Sequence, residues 1–189
     1  MTMTAALAAL VAFSASVQAT PIVGSIGFDG GFSQTGGTAG DLSSANTFNI
    51  LSPYVDTSLI LTSGGFVGAT LNSFKTPIDV SVGGYTALTG LQLWSVYVAS
   101  SSTTYTFSVG SVARLANATT LTLSGSGTLM DGNTADNTAG AYTMTFSTSG
   151  NSFNFGSTAA NNVPDGGATV MLLGAALSAM GLLRKKLIA

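Results

Sequence analysis

The middle of the chain alternates between apolar and polar residues with the period of a β-strand. The alternation is clearest at residues 91–98 and 119–124. Successive side chains of a strand point to opposite faces, so each of these runs would bury one face. No stretch between residues 21 and 163 has a convincing helical period, and the frequent Thr, Val, Tyr and Phe residues favour strands. The pattern predicts an all-β domain.

The strand-like runs are short and are bounded by Gly, Asn, Asp or Pro. They include residues 22–28, 58–62, 78–82, 91–98, 103–109, 119–124 and 142–147. Short strands with turn signals about every ten residues are typical of sandwiches and barrels. We therefore expect a β-sandwich or a partly closed barrel. Residues 121–129 and 142–146 are expected to form a hairpin with a long polar loop.

Charged residues make up only 6% of the chain, and Glu, His and Cys are absent. Disordered chains combine low hydrophobicity with high net charge, whereas 46% of these residues are apolar, so a packed domain is expected. Residues 20–162 contain two cations, Lys75 and Arg114, against six aspartates. Nucleic acid is excluded as a partner, because binding it needs Lys and Arg to neutralise phosphates. Without Cys, neither a disulfide nor a lipid-modified cysteine is available.

The N-terminus has the pattern of a secretion signal. Residues 5–15 are almost continuously apolar, and small residues follow up to Ala19. We expect residues 1–19 to be a signal peptide cleaved after Ala19, with an extracytoplasmic β domain over residues 20–162. The opening residues carry no Lys or Arg, so either the signal is minimal or translation starts upstream. A buried N-terminal helix is the alternative, although Pro21 indicates an immediate change of structure.

The C-terminal segment, residues 163–189, has three parts. A short motif, Val163, Pro164, Asp165, Gly166 and Gly167, comes first. An uncharged stretch, residues 168–183, follows. A basic cluster, Arg184, Lys185 and Lys186, comes last.

As a helix, residues 168–183 would span roughly 24 Å, somewhat short of the roughly 30 Å hydrocarbon core of a bilayer. Snorkelling of Arg184 and Lys185 closes much of the difference. The basic cluster predicts a single transmembrane helix with its C-terminus in the cytoplasm. Taken alone, the apolar stretch is equally compatible with a buried core helix.

This tail resembles a PEP-CTERM-type sorting signal, and more closely the VPDSG-CTERM variant known from Gram-negative bacteria. Val163, Pro164, Asp165 and Gly167 match the variant, and Gly166 replaces its Ser. The resemblance implies recognition by an exosortase, an integral-membrane cysteine protease that would process the tail and pass the protein to the cell surface. It also makes exopolysaccharide a candidate partner. The alternative is a Pro-Gly linker to an anchor that is never processed.

The domain itself has a weaker resemblance. Residues 124–128, Ser-Gly-Ser-Gly-Thr, precede the expected last hairpin, as in a recurring extracytoplasmic domain type found ahead of such tails. That domain type has no assigned activity to transfer.

We expect no catalytic residue, no metal site and no cofactor. Without His and Cys, nucleophiles activated by imidazole and zinc held by imidazole or thiolate are excluded. An Asp-based glycosidase needs two carboxylates facing one another across a sugar, and six scattered aspartates permit such a pair without indicating one.

Two features of the domain were weighed for binding. Residues 131–136 could offer oxygen ligands to calcium, but a solvated Asx-rich turn is the favoured interpretation because the Gly and Glu of an EF-hand loop are missing. Trp94 could stack on a sugar, although a core position is favoured.

The sequence therefore predicts an exported surface or matrix-associated protein, structural or adhesive rather than enzymatic. A carbohydrate-binding module or Asp-based glycosidase, and an uncleaved single-span membrane protein, are the alternatives.

Overall fold

The computed structural model describes residues 21–58 and 62–159, and this part is all-β. Its strands are β1 (Gly24–Thr35), β2 (Thr47–Asp56), β3 (Ser63–Gly64), β4 (Ala69–Phe74), β5 (Ile78–Asp79), β6 (Gln92–Val98), β7 (Thr103–Val109), β8 (Ala113–Ala116), β9 (Thr120–Met130), β10 (Thr138–Ser147) and β11 (Ser152–Ala159). The predicted signal peptide, sorting motif and transmembrane helix lie outside the described residues. Within the described ranges, no helix is long and apolar enough to cross a membrane.

The strands form one antiparallel sheet in the order β4-β6-β7-β9-β10-β11-β1-β2-β5. Two short strands are added beside this path, because β3 pairs with the start of β1 and β8 pairs with β9. The predicted last hairpin is confirmed as β9 and β10, which pair over their whole length.

Aromatic contacts show that the sheet curls into a partly closed barrel. Phe28 on β1 lies 5.4 Å from Phe74 on β4, measured between ring centroids. These strands are six places apart in the sheet. In a flat sheet that separation would be roughly 29 Å, since neighbouring strands lie about 4.8 Å apart. Of the two expected architectures, the partly closed barrel is therefore the one that forms.

The inner face of the curl is the hydrophobic core. The largest side chains with less than 2% of their surface exposed are mostly aromatic, and they include Trp94, Phe28, Phe48, Phe66, Phe107, Phe146, Phe153 and Phe155. Trp94 and Phe107 stack with an interplanar angle of 10° and a centroid distance of 5.6 Å. Burial of aromatic area at this scale is the main favourable term of the fold.

The Ser-Gly-Ser-Gly-Thr stretch of β9 lets its neighbours approach closely. A Cβ at Gly127 would lie 2.3 Å from the ring of Phe107 on β7, and one at Gly125 would lie 2.1 Å from the carbonyl oxygen of Ser111. Any larger side chain at Gly125 or Gly127 would clash with these neighbours. The two glycines of the Ser-Gly-Ser-Gly-Thr stretch therefore have a packing role.

The predicted strands are confirmed in part. Residues 103–109 form β7 with the predicted bounds, and the runs that begin at 22, 91, 119 and 142 fall on β1, β6, β9 and β10. The run at 78–82 is mostly wrong, because β5 ends at Asp79 and the chain bends there. The prediction for 58–62 is wrong at Ser58 and Thr62, which lie outside strands, and residues 59–61 lie outside the described part.

Arg114 on β8 ties two loops to the sheet. Its Nε donates to the carbonyl oxygen of Val80 at 2.7 Å, and one terminal nitrogen donates to those of Ser43 at 2.9 Å and Leu42 at 3.4 Å. The guanidinium presents several donors in a fixed planar arrangement, which suits three carbonyl groups on two segments.

We expect Arg114→Ala to lower the free energy of unfolding by about 2–3 kcal/mol, because hydrogen bonds made by charged groups contribute about 1.5–3 kcal/mol. Arg114→Lys should recover only part of the loss. Chemical denaturation measures both, and Lys75→Ala is the control: the Lys75 ammonium makes no hydrogen bond to the described residues. Equal effects of Arg114→Ala and Lys75→Ala would contradict this role.

Candidate functional site

The outer face of the sheet carries a continuous row of side chains across six neighbouring strands. Pairing places Tyr54 of β2 opposite Asp29 of β1, and Asp29 opposite Asn154 of β11. The row continues through residues 145, 122 and 115 of β10, β9 and β8. At about 4.8 Å per strand, the row is roughly 24 Å long. Its members are Tyr54, Asp29, Asn154, Thr145, Thr122 and Leu115.

A shallow cleft lies at the β2 end of this row. Its volume is about 440 Å³, and it is lined by Asp29, Gly30, Gly31, Ser52, Tyr54, Ser152, Phe153 and Asn154. Tyr54 is 57% exposed on its rim. We call this the outer-face cleft.

A bulge in β2 shapes the cleft. The register of β1 and β2 shifts between Asp29 and Gly31, so that Ser52 and Pro53 stand opposite the single residue Gly30. Ser52 has a φ of 47°, which is uncommon for a residue other than glycine. Bulges redirect side chains, and Pro is tolerated in a strand at such a position. The bulge therefore sets the position of Tyr54, which follows it.

Asp29 is held by its neighbours across the sheet. The side-chain nitrogen of Asn154 donates to Asp29 Oδ1 at 2.6 Å. Partial burial raises the pKa of Asp29 above its ordinary value of 3.8, and the nearby Asp56 carboxyl adds to the rise, while the bond from Asn154 opposes it. Asp56 has its pKa lowered, chiefly by the backbone N–H of Ser58, which donates to its Oδ1 at 2.8 Å. As the pH falls, Asp29 is therefore protonated before Asp56.

The proximity of Asp29 and Asp56 is not by itself evidence of a glycosidase site. Asp29 and Asp56 lie close enough for each carboxyl to affect the pKa of the other. Retaining and inverting glycosidases hold their two carboxyl groups about 5–5.5 Å and about 6.5–9.5 Å apart, with the sugar or water between them. A mutual effect on pKa does not establish such a separation, so the pair carries no catalytic assignment.

Asp29→Asn should stabilise the protein at neutral pH. A raised pKa means that the folded state binds the proton more tightly, so the stability contributed by Asp29 is present below pH 3.8 and is lost as the pH rises through its folded pKa. The amide keeps the shape and stays neutral. Thermal unfolding from about pH 3 to about pH 8 should show a difference in Tm that grows with pH.

Asp41→Asn provides a control of opposite sign. Asp41 accepts hydrogen bonds from the Ser43 hydroxyl at 2.6 Å and from the Ser43 backbone N–H at 2.9 Å, which lower its pKa. Its contribution is present above its unfolded pKa and is lost as the pH falls through the lowered folded value, so this variant should lose stability at neutral pH. A pH-independent effect of Asp29→Asn would contradict the assignment.

Trp94 belongs to the core, as favoured, and the sugar-stacking interpretation is wrong. None of its side chain is exposed, and it contacts Phe28, Phe66 and Phe107. Its Nε1 has no hydrogen-bond partner among residues 21–58 and 62–159. A buried N–H without a partner costs free energy, so the ring is retained here for its packing.

Trp94→Ala should lower the free energy of unfolding by about 3–5 kcal/mol through the cavity it creates. Trp94→Phe should cost clearly less, because it keeps an aromatic ring and removes the unpaired N–H. Urea denaturation measures both, with Tyr97→Ala at an exposed position as the control. Equal costs for the two Trp94 variants would contradict the packing role of the aromatic ring.

The polar loop at residues 131–136 is an Asx-rich turn, as favoured. Asp131 Oδ1 accepts from the Asn133 backbone N–H at 2.9 Å, and Asn133 Oδ1 accepts from that of Ala135 at 3.2 Å. The Asn133 side-chain nitrogen donates to Asp136 Oδ2 at 2.6 Å. Among residues 21–58 and 62–159, no group of three or more potential ligands from Asp, Glu, His and Cys is placed to hold a metal ion.

A second depression of about 510 Å³ lies beside residues 36–42. Gln34 lines it, but its side-chain nitrogen donates to the carbonyl oxygens of Gly36, Thr38 and Asp41 at 3.2, 2.9 and 3.3 Å. That amide nitrogen holds the loop, and the described residues that line the depression include no charged side chain. The outer-face cleft is therefore the better candidate for a binding site.

The described part thus defines a class of protein, an antiparallel all-β domain with an aromatic interior and a polar outer face. Residues 162–187 match the VPDSG-CTERM motif, which spans all the predicted sorting residues from Val163 to Gly167 and the basic cluster at residues 184–186. The chain therefore carries a C-terminal sorting signal of the PEP-CTERM type, as the sequence predicted, and this signal is that of an exported, envelope-associated protein. Searches of curated proteins and of solved structures found no match to the chain.

Sequence reasoning did not find Tyr54, Asp29 and Asn154 as a group. The first two lie on strands whose mutual register includes a bulge, and Asn154 is 125 residues from Asp29 along the chain. The available sequence signal for a binding surface was Tyr54, an aromatic residue next to Pro53. It does not indicate which strands are neighbours.

Proposed function

We propose that this protein is exported, processed at the membrane by an exosortase, and displayed at the cell surface or in the extracellular matrix as a non-catalytic adhesive or structural domain. The VPDSG-CTERM match at residues 162–187 carries the proposal. In this proposal, residues 168–183 span the membrane once, and the cluster at 184–186 keeps the C-terminus cytoplasmic until the tail is cut.

The sorting motif suits cleavage on physical grounds. Pro164 lacks a backbone N–H and biases Val163 toward an extended conformation, and the two following glycines disfavour an early helix start. An extended segment just outside the membrane is the form of substrate that a protease can engage.

The described domain supports an adhesive or structural role. The row on its outer face presents the hydroxyls of Thr145 and Thr122 and the amide of Asn154 beside a single carboxylate, that of Asp29. Hydrolysis of a polysaccharide by the purified protein, lost on replacing a single aspartate, would overturn the non-catalytic role.

The first experiment is the intact mass of the protein isolated from its native host. We expect the mature chain to lack the basic cluster at residues 184–186, because cleavage occurs at or near the motif. Replacing Pro164 and Asp165 together by Ala should leave the tail attached and the protein in the membrane fraction. Gly166→Ser, which restores the VPDSG sequence, should be processed at least as well as the natural chain and is the matched control.

Retention of Arg184–Ala189 in the mature natural protein would contradict processing. It would favour the alternative, a single-span membrane protein whose tail is an anchor.

A further inference from the structure

The row across the outer face offers hydrogen-bonding groups without a strong charge. Asp29 presents carboxylate acceptors, Asn154 presents an amide, and hydroxyls follow at Thr145 and Thr122, whose Oγ1 atoms lie 3.5 Å apart. Carboxylate, amide and hydroxyl groups are suited to the paired hydroxyls of a sugar, each of which both donates and accepts. Such a row can bond to successive units of a chain laid across the strands.

The outer-face cleft adds an apolar surface next to these groups. Tyr54 is 57% exposed, although burial of its aromatic ring would be favourable. It lies directly opposite Asp29 on the neighbouring strand. An exposed ring beside hydrogen-bonding groups can pack against the apolar face of a pyranose while its hydroxyls are bonded.

The backbone beside the cleft is strained at one residue. Ser52, at the bulge that sets the position of Tyr54, has a φ of 47°, a conformation that non-glycine residues adopt only with strain. Gly31 also lines the cleft, and a Cβ there would have no heavy atom of another segment nearer than 3.7 Å, so packing does not require glycine at this position. A strained residue at the bulge and a lining glycine that packing does not require both fit a site that admits a ligand.

The charge of the domain limits the ligand. Residues 20–162 contain six aspartates and two cations, a formal net charge of −4, and the cleft itself contains a carboxylate. A polyanion would be repelled, since like charges meet without compensating Lys or Arg.

We propose that the outer-face cleft and the row from Tyr54 to Thr122 bind an uncharged polysaccharide, with Tyr54 stacked on one sugar ring and Asp29 and Asn154 bonded to its hydroxyls. This rests on the proposed adhesive function and names its ligand class. The contacts are direct and need no metal ion.

The test uses the full chain, solubilised in lauryldimethylamine oxide because detergents with sugar headgroups would compete for the site. Binding is measured by isothermal titration calorimetry in buffer containing EDTA, with cellohexaose, laminarihexaose and mannohexaose as uncharged probes and an alginate hexamer as the anionic probe. We expect at least one uncharged hexasaccharide to bind and the alginate hexamer to bind at least tenfold more weakly.

Tyr54→Ala should weaken that binding at least tenfold while the far-ultraviolet circular dichroism and the Tm stay close to those of the natural chain. Asn154→Ala should weaken it by a similar factor with unchanged circular dichroism, although its Tm changes because the bond to Asp29 is lost. The matched control is Tyr97→Ala. Tyr97 is 37% exposed on β6, and it neither lines the outer-face cleft nor belongs to the row, so its replacement should leave binding unchanged.

Three results would overturn the proposal: no uncharged probe binds, Tyr97→Ala weakens binding as much as Tyr54→Ala, or binding appears only when calcium replaces EDTA. These results are independent of sorting, which is measured by the mass of the protein from its native host. A protein that is cut and displayed but binds no uncharged probe would leave the sorting half of the function intact and remove only the ligand assigned here.

Discussion

The aromatic contacts that join distant strands determine the shape of the whole domain. Phe28 on β1 reaches Phe74 on β4 and Trp94 on β6, with centroid distances of 5.4 Å in both cases. These rings can be buried together only if the sheet curls until strands six places apart face one another. Removing aromatic area from water supplies the free energy for that curl, and the absence of Cys means that no disulfide assists it.

The curl gives the two faces of each strand different roles. On β11, Phe153 and Phe155 are buried, while Asn154 between them is exposed. The same alternation on β1 buries Phe28 and leaves Asp29 partly exposed. The outer face therefore receives short polar side chains, and the bulge in β2 interrupts this surface to form the cleft beside Tyr54.

Local patterns predicted some elements well and missed others for physical reasons. β7 was predicted with its observed bounds because polar and apolar residues alternate from Thr104 to Val109. β2 was missed because Pro53 lies inside it, and Pro normally argues against a strand. The bulge is what allows Pro53 inside β2. A bulge is defined by pairing with the neighbouring strand, so it cannot be predicted from residues 47–56 alone. Trp94 was correctly favoured as a core residue, since a tryptophan among alternating apolar residues packs inward in a curled sheet.

The sequence by itself determined the all-β class, the inward-facing residues of several strands and the sorting signal, because each depends on residues close together along the chain. The sorting signal at residues 162–187 is recognised from consecutive residues of the sequence, without knowledge of the fold. The tertiary structure alone decided which strands adjoin, and so brought Tyr54, Asp29 and Asn154 into one row. Strand order follows from how the aromatic rings pack together, and that packing is a property of the whole sheet rather than of any one segment.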